Sequence, residues 1–150
     1  MKIALGCDHG GYELKEFIKR VLERLEYSYE DFGCNSTESC DYPNFGAAAA
    51  RAVAEGKCQR GIVICTTGIG ISIAANKIKG IRAVTVSDCF TARAVRMHND
   101  ANVLCMGDRV VGAGLALELV QVFLTTPFEG GRHQTRIGQI MDIEAGKKLY

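Results

Sequence analysis

Charge of one sign is the first thing this sequence lacks. Its 18 lysines and arginines face 17 aspartates and glutamates. No overall field draws such a chain to nucleic acid or to an anionic membrane, so any anion site must be local. Long apolar runs are also missing. None approaches the roughly 20 residues that span a bilayer, and the few small or apolar residues between Lys2 and Asp8 are too short a stretch for a secretory leader. Histidine is scarce, with three in the chain. The seven cysteines include no CxxC pair and no His/Cys metal spacing. Neither a disulfide framework nor a zinc site is expected, and no cofactor is called for. The expected setting is a reducing, cytoplasmic one, with the thiols acting mostly as small core residues.

What remains is the ordinary balance of a globular domain, 47% hydrophobic and 23% charged in 150 residues. Short apolar runs over 2–7, 27–32, 60–65, 82–87 and 101–106 read as strands. Between them lie helical patterns. Apolar residues at 14, 17, 18, 21, 22 and 25 keep helical spacing within 12–25, and Pro43 opens an alanine-rich helix to residue 54. Further helices are expected over 69–78, closed by Gly80, and over 90–97, 115–124 and 135–148. The strands are apolar along their length, as strands buried on both faces should be. That pattern predicts an α/β fold: a doubly wound, Rossmann-like, five-stranded parallel sheet in a three-layer α/β/α sandwich. With no repeat and no linker, residues 1–150 read as one domain.

Ligands of such folds bind outside the carboxyl ends of the strands. Polar signals fall there: Asp8-His9, Cys65-Thr66-Thr67, Ser87-Asp88 and Gly107-Asp108-Arg109. The segment ICTTGIGIS (64–72) puts a thiol at the end of a buried strand, before a Gly/Thr loop that enters a helix. Backbone N–H groups at that helix start would stabilise an oxyanion and draw the thiol pKa toward neutrality, making Cys65 a nucleophile or base. The plainer alternative is a small core residue followed by a tight turn at Gly68 and Gly70. The GxG fragment lacks the third glycine of a dinucleotide fingerprint and the Lys-Ser pair of a P-loop. His98, in MHND, suits acid–base work near neutral pH. Arg132 and Arg136 share a helix face if the last helix has begun by then; they read either as a phosphate clamp or as a solvated basic helix start.

Seven segments, GCDHGG (6–11), DYP (41–43), GIVICTTGIGISIAANK (61–77), GIRA (80–83), HNDANVL (98–104), GDRVVG (107–112) and EGGRHQTR (129–136), closely resemble the ribose-5-phosphate isomerase B family. That family also includes allose- and galactose-6-phosphate isomerases. The resemblance implies metal-free aldose–ketose isomerisation of sugar phosphates by homodimers or homotetramers, with active sites shared between subunits. By this resemblance Cys65 is the base that moves a proton between C2 and C1 through an enediolate. His98 opens the furanose ring, with Thr67 assisting. Asp8, His9, Tyr42 and Asn99 contact the sugar, and the backbone of residues 66–70 (Thr66, Thr67, Gly68, Ile69 and Gly70) forms the anion hole. Arg109, Arg132 and Arg136, with His9, hold the phosphate. The chemistry needs a base, an oxyanion stabiliser and an acid, and the chain offers one of each at strand ends.

A glutamate base used by another branch would fall at Ile71, which favours the cysteine version. One departure stands out: Thr66 replaces the glycine of the usual CGTG. If that position needs φ > 0, a β-branched residue would be strained by about 1–3 kcal/mol; if not, its hydroxyl and methyl narrow the pocket or add a contact. Ribose 5-phosphate is the expected substrate, with a six-carbon sugar phosphate such as allose 6-phosphate as the alternative. A non-catalytic sugar-phosphate sensor and a flavodoxin-like nucleotide binder are further alternatives.

Overall fold

Residues 1–149 are described by a computed structural model. The chain alternates strand and helix: β1 (Lys2–Cys7), α1 (Tyr12–Arg24), β2 (Ser28–Asp31), α2 (Tyr42–Ala54), β3 (Arg60–Cys65), α3 (Ile69–Ala75), β4 (Ala83–Thr85), α4 (Cys89–Asn99), β5 (Val103–Gly107), α5 (Ala113–Thr125) and α6 (Arg132–Glu144). The strands form one sheet in the order β2-β1-β3-β5-β4, and every pairing is parallel. Apolar or small residues along β5, and along β1 and β3 after their first residues Lys2 and Arg60, put these three strands in the centre, buried on both faces. The more polar β2 and the three-residue β4 form the edges.

Two apolar layers cover the sheet. On one face Ile3, Leu5, Ile62, Ile64, Leu104 and Met106 pack against α1, α4 and α5. On the other, Ala4, Val63, Val103 and Cys105 pack against the alanines of α2 and against Ile71 and Ala75 of α3. Small residues let these last helices come close. A Cβ on Gly46 would sit 2.6 Å from Ile71 Cγ1. The expected three-layer, doubly wound sandwich is the architecture observed. The sheet reverses its winding between β1 and β3, which is where such folds open a crevice at the carboxyl edge.

The edges of elements depart from the sequence expectation for local reasons. Residues 9–11 form a single 3-10 turn capped by Asp8. α3 stops at Ala75, three residues early, and the chain leaves through the tight turns Lys77 N–H to Ala74 O and Ile78 N–H to Ala75 O. α6 starts at Arg132, because Gly130 and Gly131 both take positive φ and turn the chain directly into it. The 3-10 turn presses on β3: a Cβ added to Gly11 would lie 2.5 Å from Ile64 O. Gly11→Ala should therefore cost about 1–3 kcal/mol, seen as a lower midpoint in urea with an unchanged slope.

Candidate active site

β3 carries Cys65 to the carboxyl edge of the sheet, flanked by β1 and β5, with Cys65 opposite Gly107. The thiol is 5% exposed. Gly68 N–H donates to Cys65 Sγ at 3.1 Å, a donor placed where charge on the sulfur would sit. Gly68 takes φ +79° and faces β5 so closely that a Cβ would lie 2.8 Å from the Met106 carbonyl carbon. Only glycine meets both demands. The loop is braced from β5 by Asp108 N–H to Cys65 O at 2.9 Å and Arg109 N–H to Thr66 O at 3.2 Å. The N–H groups of Thr66 and Thr67 donate to no protein atom among the described residues. Thr67 Oγ1 accepts from Ile69 N–H at 3.3 Å. A rigid loop with free donors beside a thiol can take up a negative charge that the thiol has generated.

Thr66 resolves its two possibilities. The non-glycine residues with positive φ are Glu26 and Asp100, so Thr66 carries no left-handed strain. Its hydroxyl instead stands over Gly10, where an added Cβ would collide with Oγ1. The threonine fills space between the loop and the turn that follows β1. That turn holds Asp8, which is buried and accepts from Gly10 and Gly11 N–H through Oδ1 at 3.0 and 3.1 Å. Asp8 thus has a capping role of its own, with Oδ2 left over. His9 Nδ1 faces the Cys40 backbone, 3.1 Å from its N and 3.3 Å from its O. Tyr42 lies over the start of α3: a Cβ on Gly70 would lie 3.0 Å from its hydroxyl oxygen. Ile69 and Arg109 are exposed at the rim. Asp8, His9, Tyr42, Cys65–Gly70 and Arg109 therefore gather at one edge.

The remaining predicted residues do not join them. α4 runs back from the carboxyl end of β4 to the amino end of β5, so His98 and Asn99, in its last turn, sit at the opposite edge of the sheet. The length of β5 separates the two edges, about 15 Å at 3.3 Å per residue. Arg132 and Arg136 open α6 beside His98, because His133 stacks its ring on that of His98 with centroids 4.4 Å apart. The acid expected at a strand end with the base is thus at a strand's beginning, and within one chain the two groups of predicted residues lie at opposite edges of the sheet.

Sequence reading gave Glu129, His133, Arg82 and Asp100 no part. Glu129 N–H donates to Met97 O at 3.1 Å, which carries its Oε2 to 3.5 Å from His133 Nε2 and 4.0 Å from His98 Nε2. Burial and the neighbouring His98 hold the His133 imidazole below its ordinary pKa, so it supports His98 as a neutral plate. Asp100 takes φ +43°, and Arg82 grips the turn through Asn99 O and Asp100 O at 3.0 and 2.9 Å. The EGGRH run in the sequence was the available signal for Glu129 and His133. Arg82 lies in the GIRA segment (80–83), which carried the resemblance but assigned it no role. His98, Glu129 and His133 are also the group of donors with metal-ligand spacing among the described residues. The two imidazole planes are within 12° of parallel, so as they stand no nearby point lies in both planes, as a shared metal ion would require.

The sequence pattern described as Ribose/Galactose Isomerase matches residues 3–140. The chain is 50% identical over 143 residues to "Ribose-5-phosphate isomerase B" of Escherichia coli, covering 95% of this chain and 96% of that protein. A solved ribose-5-phosphate isomerase B of Clostridium thermocellum superposes with a TM-score of 0.96 at 54% identity, covering 97% of this chain and 99% of that one. The enzyme of Mycoplasma genitalium, solved with bound ribulose-5-phosphate, superposes with a TM-score of 0.92 at 39% identity, covering 96% of each chain.

Proposed function

This chain belongs to the ribose/galactose isomerase family, and from that premise we propose that it interconverts ribose 5-phosphate and ribulose 5-phosphate through an enediolate. The observation that carries the substrate is the match, along nearly the whole chain, to an enzyme solved with ribulose-5-phosphate. The Cys65 loop fits the chemistry. Cys65 removes the proton next to the carbonyl, and the free N–H groups of the loop receive the charge that moves to oxygen. His98 and Thr67 serve ring opening; Asp8, His9, Tyr42 and Asn99 orient the sugar; Arg109, Arg132 and Arg136 hold the phosphate. Residues 1–150 act as one isomerase domain without a metal or other cofactor.

A homodimer, alone or within a tetramer, supplies the missing half of each site, with His98, Asn99, Arg132 and Arg136 reaching the Cys65 loop of the other copy. Two observations support this. The two groups of residues lie at opposite edges of the sheet. Ile69 and Ile73, one turn apart on α3 next to the loop, are 57% and 56% exposed, an apolar strip that a second copy can cover. No described helix is long and apolar enough to cross a membrane. All seven cysteines are free thiols, which suits work in the reducing cytoplasm.

Thr66 favours the five-carbon sugar, because its side chain takes up room beside Gly10. Turnover of ribose 5-phosphate and allose 6-phosphate, measured in parallel without added metal, tests the assignment. The five-carbon substrate should be preferred in kcat/KM by about 10-fold or more. Preference for allose 6-phosphate would reassign the substrate, and binding of either without turnover would make the protein a sensor.

A further inference from the structure

At the amino edge of the sheet a recess of about 300 Å³ is lined by Gln59, Arg60, Arg82, Arg96, Asp100 and Asn102, among others. Its charges do not balance. Asp100 spends both oxygens, Oδ1 on Arg96 Nη1 at 2.8 Å and Oδ2 on Arg82 Nη2 at 3.1 Å. Arg60 has no carboxylate partner among the described residues; its hydrogen bond runs from Nη1 to Phe123 O at 3.4 Å. Arg60 and Arg96 both lie over the Phe123 ring, their guanidinium carbons 5.4 and 5.7 Å from its centroid. Burial and the charge of Arg96 push the Arg60 pKa down to about 10, the response of a cation held near another cation with too little counter-charge. Arg96 is 4% exposed, and its Nε–H finds no acceptor among the described residues. Among the described residues, Arg82 Nη1 meets only the sulfur of Met141, at 3.8 Å.

Three guanidinium groups around one carboxylate leave two positive charges unmatched, in a recess where water screens them less than at a flat surface. The donors that meet no protein oxygen include the Nε and Nη2 of Arg60, the buried Nε of Arg96 and the Nη1 of Arg82, which has only the sulfur of Met141, and guanidinium forks suit tetrahedral oxyanions. The amide of Gln59, whose oxygen is taken by Lys2 N–H at 2.7 Å, adds a neutral donor. We infer that this recess binds a small dianionic oxyanion, inorganic phosphate or a phosphomonoester, between Arg60 and Arg82. A dianion matches the charge deficit, whereas a single carboxylate would leave half of it. The volume admits a phosphate with a short organic group and nothing much larger.

The proposed substrate clamp also binds phosphate, so the test disables it at two of its arginines. In calorimetric titration with inorganic phosphate, the full-length Arg132→Ala/Arg136→Ala variant should still take up about one phosphate per chain, and adding Arg60→Met should weaken that binding by about 10-fold or more. Methionine keeps the packing on Phe123, and circular dichroism checks that each variant folds. Crystals of the unaltered protein soaked in selenate should show an anomalous peak within hydrogen-bonding distance of Arg60 and Arg82. Glycerol phosphate, titrated in the same variants, separates the two sources: tighter binding than inorganic phosphate points to a phosphomonoester, equal or weaker binding to the free ion. Loss of all phosphate binding in the double variant, indifference to Arg60→Met, or a selenate peak confined to Arg132 and Arg136 would overturn the inference.

Discussion

Cys65→Ala is expected to lower kcat for ribose 5-phosphate by about 10²–10⁴-fold, the range for removal of a general base. Affinity for a phosphorylated, non-isomerisable sugar analogue should stay within about threefold, because phosphate binding is assigned to Arg109, Arg132, Arg136 and His9, not to the thiol. The loop should survive the change. Its shape rests on Gly68 at φ +79° and on the backbone bonds from Asp108 and Arg109, and the substitution removes only the acceptor of one N–H, that of Gly68. Steady-state kinetics with an equilibrium binding measurement separates the two quantities. Turnover near that of the unaltered protein would mean that the thiol is a small core residue and that the base lies elsewhere.

The second large effect concerns assembly. Cys65→Ala and His98→Asn should each be nearly inactive alone. When the two are co-refolded in equal amounts, about a quarter of normal activity should return. The estimate follows from two-fold symmetry: about half of the dimers are mixed, and in each mixed dimer one of the two sites combines an intact Cys65 with an intact His98. The basis is geometric, since Cys65 ends β3 at one edge of the sheet while His98 ends α4 at the other. Activity no greater than that of the parents would place a complete site within one chain and would return His98 to a purely local role beside His133 and Glu129.

Much of the site was legible from local sequence. The thiol at the end of an apolar run, the glycines after it and the Asp-His pair after the first strand each announce themselves over a few residues. The structure brings them to one edge because β1, β3 and β5 are neighbours. The actual function of Thr66 was not legible. Whether threonine is strained or merely space-filling depends on a backbone angle and on the distance to Gly10, which belongs to another strand's turn. Glu129, His133 and Arg82 were passed over for the same kind of reason. Each acts through a residue far away in sequence: Glu129 and His133 through His98, and Arg82 through the turn at Asn99 and Asp100.

By itself the sequence determined the kind and order of the elements, the burial of the central strands and the family. Those properties rest on periodicity, caps and contiguous motifs, which act over one or two turns of chain. The tertiary structure alone decided that β5 inserts between β3 and β4, whereas the return of α4 to the amino edge, with His98 in its last turn, follows from the parallel run of β4 and β5 wherever they lie in the sheet. Strand order is set by pairing across dozens of residues and leaves no local mark on hydrophobic pattern, because a strand buried on both faces looks the same wherever it lies in the sheet. The balance of Arg60, Arg82 and Arg96 against one aspartate was hidden likewise: in a chain of nearly zero net charge, only the fold says which charges meet.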